Sequence, residues 1–147
     1  MKPTLDLVSI ILIGSLIGVE FAVSAFIAPV LAALGGIGEA KATRIFARRL
    51  GAFMPFWYAL CLILLIAEAL LRRDEAGLVW VAAALWAAVI VTTVFFLVPI
   101  NNRIAAMNPE AFDTSLRAEH RRWDRLHRGR VAVLALANVL FLIGIRL

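Results

Sequence analysis

The chain has 147 residues, enough for about one domain, yet 63% of them are hydrophobic and 17% charged, against roughly 45–50% apolar residues in a soluble globular chain. A domain this small keeps a large fraction of its surface in contact with solvent, so a water-soluble globule is excluded and the natural solvent is lipid. A single cysteine, Cys61, and two histidines, His120 and His127, exclude a disulfide framework and a metal centre built on several Cys or His ligands, and the net charge of +5 comes from cations set between apolar runs, which reads as membrane topology and not as nucleic-acid binding.

Residues 7–34 form an apolar run of 28 residues interrupted by Glu20 alone. That exceeds the roughly 20 residues a helix needs to cross a bilayer core, and it is too long and too interrupted for a cleaved leader. Gly35-Gly36 and Gly38 stop this helix, and residues 39–50 read as an amphipathic lead-in to a second span over 51–71. The third span, 76–100, has 25 residues and no charge.

Asn108-Pro109-Glu110 then reads as an N-cap followed by proline in a first helical turn. From there Phe112, Leu116, Trp123, His127, Arg130 and Leu134 recur at helical spacings, which predicts one stripe on a continuous helix. The fourth span, 131–146, is short; it gains length from the charged segment before it, whose long side chains snorkel to the headgroups. Gly129 is the weak point of that helix.

These runs predict an all-α fold: residues 1–147 as a single integral membrane domain, an up-down four-helix bundle with a cytoplasmic extension of helix 4. Lys41, Arg44, Arg48 and Arg49 lie in the 1–2 connection, and Arg103, Arg117, Arg121, Arg122, Arg125, Arg128 and Arg130 in or beside the 3–4 connection. The other side holds Lys2, Arg72, Arg73 and Arg146. The positive-inside bias therefore predicts a multi-pass protein of the cell (inner) membrane with both connections cytoplasmic and both termini outside.

Glu20 is the most informative residue. A carboxyl within a span costs at least a few kcal/mol and faces a protein interior or a watery cavity. Ser24 lies one turn on, on the same face, while Gly14, Gly18 and Ala22 form a small-residue stripe on the opposite side that fits a homo-oligomer contact. Counting from the cytoplasmic ends places Glu20, Thr92, Thr93 and Asn138 near the bilayer centre. Tyr58, Asn101, Trp123, His127 and Arg130 then fall nearer the surface, with Glu20 several turns from His127 in depth. A metal site from His127, Glu20 and Glu39 or Asp124 is disfavoured by that separation. Glu68 pairs with Arg72 at i+4 in a structural role.

Trp123, His127 and Arg130 at i, i+4 and i+7 set an aromatic plane, a group that titrates near neutrality and a fixed cation on one face. Such a trio suits a planar phenolic or quinonoid molecule, through stacking, proton abstraction and oxyanion stabilisation. The structural alternative is an interfacial Trp–Arg anchor with an incidental histidine.

Gly18-Val-Glu20-Phe-Ala with Pro29, Met54-Pro-Phe-Trp57-Tyr58, Val98-Pro-Ile-Asn101-Asn102, and Trp123-x3-His127-x2-Arg130, in this order and spacing, resemble the small four-helix membrane family that includes the anthrone oxygenases. The resemblance implies oxygenation of anthrones to anthraquinones by molecular oxygen without a dedicated flavin or metal. The positions that match its shared pattern are Asn101, Trp123, His127 and Arg130.

The first functional expectation is thus a membrane oxygenase or oxidase for a lipophilic phenolic, anthrone-like or quinonoid molecule. His127 acts as base, Arg130 and Asn101 hold an enolate oxygen, and Trp123, Tyr58, Glu20, Ser24 and Asn138 contact the substrate. No cofactor is demanded by the sequence, and the partners are the lipid bilayer and a lipophilic small molecule. Two other readings stay open: a proton-linked binding or transport protein centred on Glu20, and an accessory membrane subunit.

Overall fold

The computed structural model describes residues 2–72 and 76–146; Arg73, counted above with the outer cations, lies outside them. Four long helices account for the fold, and no strand occurs among the described residues. Helix α1 runs Lys2–Ala22, passes through a wide turn at Val23–Ile27 and finishes with Ala28–Leu34. Helix α2 is Gly36–Arg72. Helix α3 comprises Gly77–Thr92, a second wide turn at Thr93–Leu97, and Val98–Ala106; α4 is Thr114–Gly144.

Each helix carries a window apolar enough to span a bilayer, yet only 22–28% of those windows is buried inside the bundle. The rest, including Phe26, Phe56, Ile63, Phe95 and Leu136, faces outward. An outer surface of this kind is stable only against acyl chains, so the chain is a multi-pass membrane protein.

Leu34 and Gly36 are joined by one residue, Gly35, at φ 61°, a left-handed conformation that a side chain disfavours. The glycines thus stop α1, as the sequence implies, but α2 begins at once: Gly36 and Gly38 lie inside it, and the lead-in 39–50 is part of one 37-residue helix.

The start of α4 differs from the sequence expectation. Asn108 caps only a short 3-10 turn, Pro109–Ala111, by accepting from the Glu110 N–H. The true N-cap is Asp113, which accepts from the Leu116 N–H, so Phe112 stands outside the helix and off the stripe. Both Asn and Asp cap well, and the chain uses one for each turn. Beyond this point α4 is unbroken through Gly129.

Both wide turns have the same cause. Pro29 and Pro99 lack an N–H and crowd the carbonyl four residues back, and in each case the turn just before the proline widens. The Ala28 N–H bonds to the Val23 oxygen and the Val98 N–H to the Thr93 oxygen, five residues back in place of four.

Ile13, Leu16, Leu65, Trp86, Leu134 and Phe141 fill the core between the four helices. At one end Arg72 donates to Glu68 at 2.6 Å and to Asp6 at 2.7 Å, and Ser9 donates to the other Glu68 oxygen at 2.8 Å, so the buried Glu68 is fully partnered. This network ties the start of α1 to the end of α2. Gly14 and Gly18 face away from the bundle, where an added Cβ would meet nothing within 4 Å.

Candidate functional site

Glu20 and His127 are both buried, at 2% and 1% exposure, and they meet. The His127 Nε2 lies 3.2 Å from the backbone oxygen of Glu20, a contact that requires the proton on Nε2 and leaves Nδ1 as the acceptor. Arg130 Nη2 donates to that Nδ1 at 2.8 Å and to Glu20 Oε2 at 2.6 Å. One guanidinium nitrogen thus bridges a carboxylate and an imidazole.

This corrects the depth placed on these residues from the sequence. Counting α4 inward from Val131 treated Arg130 as a headgroup residue and set Glu20 several turns deeper than His127. Compensation of Arg130 by the carboxylate of Glu20 lets the charged segment of α4 enter the bundle, and Glu20, Thr93, His127 and Arg130 share one level. Thr93 accepts a long hydrogen bond from Arg130 Nη1 at 3.4 Å, while Thr92 bonds back to its own helix.

Tyr58 brings α2 to the same point. Its ring lies 5.4 Å below the Arg130 guanidinium carbon, and its carbonyl accepts from the Trp86 indole at 3.1 Å. The phenol oxygen is buried without a hydrogen-bond partner among the described residues, as is Arg130 Nε. Asn101 on α3 donates to the Ala47 carbonyl at 3.1 Å.

A cavity of about 230 Å³ opens on this cluster. Glu20, Tyr58, Thr93, Asn101, Trp123, His127 and Arg130 give it one polar side, and Met54, Ile90, Val94 and Leu97 an apolar one. Of the residues singled out from the sequence, Ser24 and Asn138 line neither this cavity nor its neighbour. Asn138 keeps a buried, unpartnered oxygen elsewhere on α4.

Trp123 stacks within its own helix as well as lining the cavity. Its indole stacks on His127 at 4.7 Å and on His120 at 6.0 Å, with interplanar angles of 13° and 16°. The imidazoles one turn before and one turn after thus lie nearly parallel to the indole. A smaller cavity of about 50 Å³ adjoins it, lined by Thr43, Asn101, His120, Trp123 and Asp124 among others.

No group of three or more His, Cys, Asp or Glu side chains converges as a metal site among the described residues. Of the two carboxylate–imidazole pairs among the described residues, Glu20 with His127 is bridged by a cation, and His120 with Asp124 stands at 4.0 Å.

Comparison with known families gives a match to the anthrone oxygenase family over residues 42–140, more than half of the chain. The chain belongs to the anthrone oxygenase family. Tyr58, Asn101, Trp123, His127 and Arg130 fall inside the matched segment and Glu20 outside it. Searches of curated proteins and of solved structures returned no significant match.

Two features of this anthrone oxygenase family member escaped the sequence reading. The Glu20–Arg130 pair is one, since its partners stand 110 positions apart. The wide turns at Val23–Ile27 and Thr93–Leu97 are the other; a proline late in an otherwise continuous apolar helix, at Pro29 and Pro99, was their signal.

Proposed function

We propose that this protein is a membrane oxygenase that oxidises a lipophilic phenolic or anthrone-like molecule with molecular oxygen. The observation that carries this reading is the position of the Glu20–Arg130–His127 cluster at the wall of a largely apolar cavity. Family membership supports it.

In the proposed reaction the phenolic ring lies against the apolar wall and its oxygen points towards Arg130. Nδ1 of His127 is the ring nitrogen with a lone pair, and it removes the acidic C–H proton once a substrate oxygen draws off the guanidinium. The guanidinium, the Tyr58 phenol and the second Asn101 N–H stabilise the enolate oxygen. The electron-rich carbon adds O2 and forms a hydroperoxide. Loss of water from that carbon leaves a carbonyl: one CH2 group and one O2 become one C=O and one water. Glu20 compensates the arginine charge in the empty site and holds the His127 ring through its backbone oxygen.

On the same reading, the side that holds the charged 1–2 and 3–4 connections is cytoplasmic, and the Gly14, Gly18, Ala22 stripe meets a second copy.

The test uses purified protein in lipid nanodiscs with a hydroxyanthrone, following oxygen uptake and quinone absorbance. Wild-type protein is expected to speed conversion above the protein-free rate, and His127→Ala to return it to that background with the folded fraction unchanged. No acceleration by the wild type overturns the oxygenase reading, and full activity of His127→Ala removes this residue from it.

A further inference from the structure

The polar end and the entrance of the cavity lie at opposite sides. Glu20, Tyr58 and His127 are among its most buried lining residues, whereas Gly51, Pro55 and Ala59 on α2 and Val94 and Asn102 on α3 are exposed. The entrance is therefore a lateral gap between α2 and α3. It sits beside Pro55, which leaves α2 without one backbone donor, and at the wide turn Thr93–Leu97 of α3. The widened turn keeps α3 from closing against α2 there as a straight helix would.

The surface around this entrance is apolar. Phe56 is 77% exposed and Phe95 70%, each adjacent in sequence to a rim residue, so the stretch of the entrance between Pro55, Ala59 and Val94 meets acyl chains. The cavity, at about 230 Å³, is smaller than the roughly 300–1,000 Å³ of pockets that enclose a drug-sized molecule. A guest seated on the buried cluster has room for a ring system, and any larger substituent leaves through the gap into lipid.

We infer that the site takes an amphiphile with a compact hydroxylated aromatic head and an apolar tail, the head entering sideways from the bilayer towards Arg130 while the tail stays among the acyl chains. This rests on the proposed function for its hydroxylated head, and it adds a tail and a route. A tail has no polar group to desolvate and meets no wall at the entrance, so it costs the complex nothing. A pocket that opened to water would have to bury or expose it.

The experiment is anaerobic binding of 1-naphthol and of its 4-dodecyl derivative to the protein in nanodiscs. Both are followed by naphthol fluorescence against protein-free nanodiscs, with affinity expressed per mole of lipid so that partitioning cancels. The two ligands are expected to bind within about threefold of each other on that scale. Ala59→Trp with Val94→Trp, both at exposed positions, is expected to weaken the dodecyl ligand at least tenfold, and Ile63→Trp, exposed on α2 but off the cavity, to leave it unchanged.

A dodecyl ligand bound more than tenfold weaker than 1-naphthol by the wild type overturns the inference without recourse to any variant, as does full binding by the doubly plugged protein. Because oxygen is excluded, the outcome is separate from catalysis: tail-tolerant naphthol binding by a protein that fails to speed hydroxyanthrone oxidation in air sinks the oxygenase reading alone, and hydroxyanthrone oxidation by a protein that rejects the dodecyl ligand sinks this inference alone.

Discussion

Arg130 Nη2 lies 2.6 Å from Glu20 Oε2, so the first and last helices of the bundle are joined by a buried ion pair. Removing one partner leaves the other charged and unpaired in a low-dielectric interior, which costs about 3–5 kcal/mol, whereas removing both costs far less. Glu20→Gln is expected to lower the denaturation midpoint of the detergent-solubilised protein steeply. Glu20→Gln with Arg130→Gln should recover more than half of that loss. A double-variant loss equal to the sum of the Glu20→Gln and Arg130→Gln losses would show that the pair is not coupled.

Tyr58 distinguishes a packing role from a ligand-binding one. Its phenol oxygen is buried without a hydrogen-bond partner among the described residues, so Tyr58→Phe removes a desolvated hydroxyl, and stability should hold or rise slightly. If the phenol holds the substrate oxygen, conversion of a hydroxyanthrone should fall about tenfold, the equivalent of about 1.4 kcal/mol. Unaltered steady-state rates in Tyr58→Phe would assign the ring to packing beneath Arg130.

The Glu68 network supplies the matching control at the other end of α1. Glu68 accepts from Ser9 and Arg72, and Arg72 also donates to Asp6. Glu68→Ala should destabilise the protein by about 1–3 kcal/mol, because the buried Ser9 hydroxyl and one Arg72 N–H lose their acceptor while Arg72 keeps Asp6, and binding of 1-naphthol at the distant cavity should stay within about twofold. A large loss of binding in folded Glu68→Ala protein would refute the independence of the two ends.

Gly144 marks a close approach of α3 and α4. A Cβ there would lie 2.9 Å from Val79 Cγ2 and 3.2 Å from the Val79 backbone nitrogen, and backbone cannot yield as a side-chain tip can. Gly144→Ala should cost about 1–3 kcal/mol by overpacking. Gly18→Ala, which meets open space, should cost nothing in an isolated bundle. Comparison of thermal melts decides this, and a neutral Gly144→Ala would contradict the close approach.

The four spans were legible because long uncharged runs have no other stable placement, and the up-down order followed from the short connections. The residues around the cavity were legible for a related reason: Glu20, Asn101, His127 and Arg130 are conspicuous against apolar neighbours. Their mutual positions were not. Arg130 read as a surface residue until its partner on another helix was known, because charge compensation is a tertiary property with no local trace. The α4 cap was ambiguous for a different reason, since Asn108 and Asp113 carry the same capping chemistry five residues apart, and only the fold decides which one starts the long helix.

The pairing of α1 with α4 also bears on how the protein is made. Ribosomal synthesis delivers α1 first, and its Glu20 enters the bilayer well before Arg130 has been translated. The acid-bearing helix at the other end, through Asp6, finds Arg72 as soon as α2 is complete, but Glu20 waits for the last helix. A nascent chain arrested before α4 therefore exposes a stranded carboxyl within the membrane, a mark by which a quality-control protease could tell an unfinished bundle from a finished one.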